Sequence, residues 1–277
     1  MKKKILNMVI LSAIVLNTAA ISVSAIDRQN PYKINTSENG ITYELWSDGS
    51  FTSNTVKDLT TNSKSIKIPS FIKYENETFE IDTLAFLEDD NVYKKPKCAK
   101  TCEKLTMNNA DVFMGIAKWN KLKEIKAIRI HTYFGHIKNC KKLQKLFVSG
   151  CTDFDLTIGD ISNNKSLKTI TLKNIYKIEP NAVYNCKKLK TVILSSNVEN
   201  IETKAFNKCF NLSKVIIKSK NNVPEVKEKA FKNTKKGIKF YVKNKKVAKS
   251  LKKQLKGSGV RNAKILIGKK VVYKNVK

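Results

Sequence analysis

Arginine is almost missing from this chain of 277 residues: Arg28, Arg129 and Arg261 are the only three among 54 basic side chains, and the rest are lysine. Arginine carries the planar fork that suits phosphate and base-edge recognition, so its scarcity argues against sequence-specific nucleic-acid binding. Histidine is as scarce, with His131 and His136 alone. Gly-x-Ser-x-Gly, His-Glu-x-x-His, Walker and glycine-rich phosphate-loop patterns are all missing. Their absence removes the best-marked hydrolase, zincin and nucleotide-binding signatures. No Leu-Pro-x-Thr-Gly motif stands at the C-terminus, so covalent wall attachment is not expected. Beyond residue 25 no apolar run is long enough to span a bilayer.

What is present at the front reads as a secretory signal over residues 1–25. Lys2, Lys3 and Lys4 form a basic region, an apolar stretch follows from Ile5 to Ile21, and Val23-Ser24-Ala25 is a small-residue cleavage site. The alternative is an uncleaved anchor, against which the short apolar stretch and the cleavage site both argue. The expected location is secreted, or loosely held at a bacterial surface or wall.

Charge is unevenly spread. The net is +31, or +28 once Lys2, Lys3 and Lys4 are removed. Residues 26–97 hold 12 acidic and 9 basic side chains, whereas 237–277 hold 14 basic and no acidic ones. One reading is plain composition, since a chain rich in Lys, Asn and Ile fits an AT-rich bacterial genome. The other is an interaction tail facing anionic wall polymer, lipid head groups, acidic glycan or released DNA, with salt-sensitive binding.

The strongest signal is internal repetition. Asn139-Cys140-Lys141-Lys142-Leu143, Asn163-Asn164-Lys165-Ser166-Leu167, Asn185-Cys186-Lys187-Lys188-Leu189 and Lys208-Cys209-Phe210-Asn211-Leu212 read alike. Their leucines step by 24, 22 and 23 residues, and Trp119-Asn120-Lys121-Leu122 adds a step of 21. Such a unit cannot bury its own apolar face and must stack on its neighbours as a solenoid. In the clearest copy Leu189, Val192 and Leu194 are apolar, followed by Val198, Ile201 and Ala205-Phe206. Alternation along a strand sends Val192 and Leu194 inward and Thr191, Ile193 and Ser195 outward.

These residues resemble the BspA-like class of leucine-rich repeats. The motif of that class is a small residue with Phe, then Cys, then Leu and a short strand. It stands here as Ala205-Phe206-Asn207-Lys208-Cys209 and, weaker, as Ala182-Val183-Tyr184-Asn185-Cys186, while Ala230-Phe231-Lys232-Asn233-Thr234 has Thr for Cys. The front shares the likeness in Gly40-Ile41-Thr42-Tyr43-Glu44, Ser65-Ile66-Lys67-Ile68-Pro69, Thr78-Phe79-Glu80-Ile81 and Ala85-Phe86. The resemblance implies a solenoid with one parallel strand per coil of about 23 residues. It also implies surface attachment and protein binding rather than catalysis.

The expected organisation is a β-rich N-terminal cap over 26–64, with a turn at Ser47-Asp48-Gly49-Ser50. The solenoid follows over 65–236, with 87–138 left open between irregular repeats and an insertion. Glu88 to Lys97 reads as a polar loop. A small basic strand–helix–strand cap covers 237–277. In that cap Ile238–Val242 is a strand, Val247, Leu251 and Leu255 form a helix stripe, Gly257 ends the helix, and 263–267 and 271–273 are strands. Lys249, Lys252, Lys253 and Lys256 lie off that stripe. They are either a tether to anionic polymer or a cap whose lysine stems snorkel over apolar surface.

Cys140, Cys186 and Cys209 fill one repeat slot, with Asn164 and Thr234 on neighbouring rungs. This points to a structural ladder of small polar groups serving the backbone, not to a metal site. Cys102-Glu103-Lys104-Leu105 is a further candidate copy, and Cys98, Cys102 and Cys151 remain free to pair. A zinc reading joining Cys98 and Cys102 to His131 and His136 has spacing far from that of a finger. No cofactor is expected.

The candidate site is the exposed sheet face. Lys126, Phe147, Thr171, Ile193 and Ile216 form its central column. Lys145, Thr169, Thr191 and Lys214 lie on one side, with Glu124. Lys173 and Lys218 lie on the other, with Ser149 and Ser195. Apolar groups fringed by lysine suit a protein or acidic-glycan ligand. Strand preference for β-branched residues accounts equally well for Thr and Ile, but least for Phe147. The expected function is adhesion or surface binding by a monomer. A wall-associated structural protein held by its basic end is the second reading, and an unrecognised glycan-active enzyme the third.

Overall fold

Leu143, Leu167, Leu189 and Leu212 are fully buried and follow one another through successive coils. In each coil the leucine N–H bonds to the carbonyl three residues earlier, that of Cys140, Asn164, Cys186 and Cys209 respectively, at 2.9–3.1 Å. Leu122 does the same with Trp119 at 3.2 Å. One local turn is thus repeated five times, and each buried leucine contributes roughly 1.5–3 kcal/mol of apolar transfer. The computed structural model describes residues 33–46, 54–75, 77–89, 92–93 and 95–277. The expected signal segment and the Ser47–Ser50 turn lie outside the described residues.

The chain begins with an antiparallel meander, β1 (Lys33–Glu38), β2 (Ile41–Trp46) and β3 (Thr55–Leu59). Asn39 and Gly40, with φ of 52° and 72°, close the first hairpin, the conformation an Asn-Gly turn favours. β4 (Ser65–Ile68) is the first solenoid strand. Its coil is lengthened by a hairpin, β5 (Phe71–Tyr74) with β6 (Glu77–Glu80), then β7 (Thr83–Ala85), and a second small hairpin, β8 (Leu87–Asp89) with β9 (Val92–Tyr93). The polar segment from Glu88 therefore includes a short strand pair rather than loop alone.

From β10 (Lys104–Ala117) and β11 (Glu124–Lys138) the coils run regularly through β12 (Lys145–Gly150), β13 (Thr157–Ile158), β14 (Thr169–Ile178), β15 (Thr191–Ile201), β16 (Lys214–Ile217) and β17 (Glu225–Val226). Their leading residues, Lys104, Glu124, Lys145, Thr169, Thr191 and Lys214, pair in one parallel register close to the 23-residue spacing. Residues 104–138 are thus two coils in register with the rest, although their motif residues differ. Trp119 takes the cysteine slot and is fully buried. Cys102, not Leu105, stands in the leucine slot, because Leu105 pairs with Ile125 in the strand column.

The long strands turn a corner without ending. Asn109, Arg129 and Asn174 take left-handed φ of 57°, 56° and 52° there. Beyond it the chain forms a second row, in which Leu84, Phe113, Phe134, Ile158, Ile178, Ile201 and Val226 stack inward and are buried. Gly150 lies at the same bend, and a Cβ there would collide with the Asn174 carbonyl. Another corner uses Lys118, Asn139, Asn163, Asn185, Lys208 and Asn233, all with φ between 55° and 60°. That explains the asparagine opening three of the four repeat signatures, since Asn enters the left-handed region more readily than most residues, although Lys208 takes the same φ in the fourth.

At the C-terminal end β18 (Lys239–Val242) joins β16 in parallel. α1 (Lys245–Gln254) follows, then β19 (Ala263–Ile267) parallel to β18 and β20 (Lys270–Val276) antiparallel to β19. Asn244 caps α1 by accepting the N–H of Val247 at 2.9 Å. Val247, Leu251 and Leu255 are buried, so the stripe closes the end of the core.

Candidate binding surface

The outward column of the first sheet row is built by register. Lys126 pairs with Phe147, Phe147 with Thr171, Thr171 with Ile193, and Ile193 with Ile216. Beside it, Glu124, Lys145, Thr169, Thr191 and Lys214 form a second continuous column. Lys173 pairs with Ser195, and Lys218 follows Ile217, the partner of Leu194. Lys126, Lys145, Lys173 and Lys218 are exposed, while Phe147, Thr169, Thr171, Thr191, Ile193, Lys214 and Ile216 are half-buried by their neighbours. The intervening Leu146, Val148, Ile170, Leu172, Val192, Leu194, Val215 and Ile217 face the core.

The face continues past Gly237 into the C-terminal cap, where the sequence pattern predicts strands and marks no site. Lys214 pairs with Lys239 and Lys239 with Lys264, while Ile216 pairs with Tyr241. The Lys214 ammonium sits over the Tyr241 ring, 4.8 Å from its centroid, an attractive cation–π contact. The Cys and Leu landmarks of the repeat are not seen past Gly237, and backbone register carries the face beyond them.

Past Glu124, carboxylates are segregated from this face. After Glu124 the acidic side chains are Asp153, Asp155, Asp160, Glu179, Glu199, Glu202, Glu225 and Glu228. All lie past the first corner, in the second row or in the loops beside it. Several are paired there with local lysines: Lys138–Asp160 at 2.5 Å, Lys227–Glu225 at 2.6 Å and Lys229–Glu228. The first-row lysines have no such partner among the described residues. The coil thus presents a lysine, threonine and aromatic side and a mixed-charge side.

The cysteine slot works as a backbone ladder. Cys140, Cys186 and Cys209 direct their thiols to the carbonyls of Ile116, Ile161 and Val183 in the preceding coil, at 3.7, 3.4 and 3.2 Å. Asn164 fills the intervening rung, donating to the Ile137 carbonyl at 2.7 Å. Thr234 donates instead within its own turn, to Phe231 at 2.9 Å. All six cysteines are free thiols, and all but Cys151 are buried. Burial pushes the thiols of Cys140 and Cys186 up to about 12 and that of Cys209 well above its ordinary value.

His131 and His136 serve other contacts. His131 Nδ1 lies 2.6 Å from Asp111 Oδ1, and its ring stacks on Phe154 with centroids 4.5 Å apart. His136 Nδ1 lies 3.7 Å from Asp160 Oδ2. No three His, Cys, Asp or Glu side chains among the described residues converge as a metal site. Lys249, Lys252 and Lys253 on α1 and Lys256 just past its end are exposed, and Lys252 lies over the Tyr273 ring at 4.8 Å. No helix among the described residues is long and apolar enough to cross a membrane.

Residues 156–255 match the model of the BspA type leucine-rich repeat region, in six copies. Among solved structures, a leucine-rich cell surface protein from Faecalibacterium prausnitzii is 12% identical over 85% of this chain, with a TM-score of 0.33, and the chain spans 55% of its length. The pneumococcal vaccine antigen PcpA is 13% identical over 86% of this chain and 99% of its own, with a TM-score of 0.24. A leucine-rich repeat protein from Bacteroides ovatus is 12% identical over 86% of this chain and 70% of its own, with a TM-score of 0.31. No curated protein matches the chain. Residues 156–255, with their stacked leucines, buried cysteines and parallel strands, thus carry repeats of the BspA leucine-rich type.

Proposed function

We propose that this protein is an exported, non-catalytic binding module that holds a protein or an acidic glycan on the first-row sheet face, in adhesion or cell-surface interaction. The observation that carries this reading is the outward face spanning successive rungs, free of carboxylates past Glu124, with Phe147, Ile193 and Ile216 among lysines. Half-buried apolar groups supply desolvation, and the lysines supply long-range attraction. A pull-down from surface extracts together with a glycan array, each run at low and high salt, tests it. The expected result is a ligand lost on Phe147→Ser with Ile193→Ser while the fold is retained. A ligand that ignores both changes would reject the face.

A second reading is favoured by α1. Its exposed lysines stand in a segment free of acidic residues from 237 to the end. There the helix tethers the protein to anionic wall polymer by charge alone, and the same helix also closes the solenoid. The two roles are compatible, because Val247, Leu251 and Leu255 pack inward while the ammonium groups reach solvent.

A further inference from the structure

The column carrying Lys214, Lys239 and Lys264 sets three like charges directly opposite one another on consecutive strands. Like charges in that relation repel, and folded proteins usually interleave them with carboxylates. Past Glu124, which lies opposite Lys145, none is interleaved: the column then reads Lys145, Thr169, Thr191, Lys214, Lys239, Lys264. None of these four lysines makes an ion pair among the described residues, although carboxylates are available one corner away. Adjacent strands lie about 4.8 Å apart, so the column from Lys145 to Lys264 extends about 24 Å along the solenoid axis.

We infer that this column is the track of a linear acidic polysaccharide, laid across the strands and parallel to the solenoid axis. The inference rests on the proposed binding face and selects its ligand. The arrangement matches the chemistry of such a polymer in three respects. Its carboxylate or sulfate groups repeat along a line, as the lysine rungs do, and would relieve their mutual repulsion. Thr169 and Thr191 between the charged rungs offer hydroxyls that donate and accept, as sugar hydroxyls require. Phe147 and Tyr241, on the adjacent column, offer ring faces for the apolar side of a sugar. Lysine in place of arginine suits this partner, because a mobile point charge tolerates the irregular charge pattern of a polysaccharide, whereas the arginine fork favours bidentate phosphate.

The test uses the full chain and heparin oligosaccharides of graded length, with binding measured by calorimetry or surface plasmon resonance. Affinity is expected to rise with length up to chains of about 24 Å and then to level off. The triple change Lys214→Gln, Lys239→Gln, Lys264→Gln is expected to weaken binding about tenfold or more, because exchangeable charge contacts are lost. An equal neutralisation in the repeat turns, away from both the sheet column and α1, Lys141→Gln, Lys165→Gln, Lys187→Gln, is expected to change it less than about threefold. Circular dichroism and the melting temperature verify the fold of both, and single substitutions at Lys239 replace the triple variant if it does not fold. Equal losses in the two variants would overturn the track, since net charge alone would then explain binding. Single-stranded DNA of matched length bound as tightly, with the same loss on the sheet variant, would overturn the polysaccharide assignment. No binding of the native chain to any oligosaccharide would also overturn it. The protein pull-down with Phe147 and Ile193 changed would still decide the wider reading separately.

Discussion

Asn164 reaches back one coil to Cys140: its Oδ1 accepts the Cys140 backbone N–H at 2.9 Å, while its Nδ2 donates to the Ile137 carbonyl at 2.7 Å. Asn164 is fully buried. It therefore does for its coil what the cysteine thiols do at the neighbouring rungs, and adds an acceptor that they lack.

Asn164→Ala is expected to destabilise the fold by about 1–3 kcal/mol, because it orphans the buried Cys140 N–H and leaves the Ile137 carbonyl with the Ser162 N–H alone. Asn164→Cys should recover part of that loss, since a thiol at this slot can donate to the same carbonyl as at the flanking rungs. Urea unfolding of the three proteins checks the order. A cysteine variant no better than the alanine one would contradict the ladder.

Leu189→Ala should cost about 2–5 kcal/mol as a core truncation. Ile193→Thr, four residues away on the outward face, should cost under about 1 kcal/mol because a β-branched residue is kept. Thermal melts of the pair test inward against outward placement. Similar costs would contradict the register.

The buried thiols predict a pH response. Cys140 and Cys186 bind their protons more tightly folded, at about 12, than at the ordinary value of 9.0. Their contribution is fully present below about pH 9 and is lost as pH rises toward 12. Alkylation of the native protein at pH 8 should label Cys151 first, and all six thiols only in denaturant. Rapid native labelling of Cys186 would contradict its burial.

Asp82 should weaken the front of the solenoid at neutral pH. Burial first, then the charges of Asp111 and Glu80, push its carboxyl up to about 6 from 3.8. The folded state holds this proton more tightly, so stability is fully present below about pH 4 and is lost as pH rises through 6. Asp82→Asn should therefore raise stability at pH 7 by about 1–2 kcal/mol, after allowing for screening, and leave it nearly unchanged at pH 4. Melting curves at the two pH values check this.

Reversing Lys249, Lys252, Lys253 and Lys256 to Glu should leave the fold intact, since exposed charges cost little and the exposed Lys252–Tyr273 contact that is lost is worth about 0.5–1 kcal/mol. Binding to isolated wall polymer should fall, and the remainder should be less salt-sensitive. Unchanged retention with an intact fold would remove α1 as a tether.

Much of the architecture was legible because burial acts on spacing. The leucines at 143, 167, 189 and 212 announce the coil, and aligning them places Phe147, Thr171, Ile193 and Ile216 on consecutive rungs. Residues 104–138 were harder to read because Trp119 and Cys102 fill the cysteine and leucine slots with other shapes that bury equally well. The second row was hidden because its strands continue through a bend at one left-handed residue, with no turn signal. The extension to Lys239, Tyr241 and Lys264 was hidden for another reason: backbone pairing carries the sheet past Gly237, beyond the last of the Cys and Leu landmarks. The acidic side could have been found by writing the coils beneath one another, since Asp160, Glu179, Glu202 and Glu228 each follow the second row closely.

The most direct measurement is hydroxyl-radical footprinting of the full chain, free and bound to the ligand recovered in the binding screen. Phe147 and Tyr241 lie on the proposed face. Phe71, Tyr176 and Phe210, exposed at 56%, 40% and 47%, lie off it and serve as internal controls. The account predicts that oxidation of Phe147 and Tyr241 slows in the complex while the three controls are unchanged. Protection of Phe71, Tyr176 or Phe210 with Phe147 and Tyr241 unaltered would contradict it.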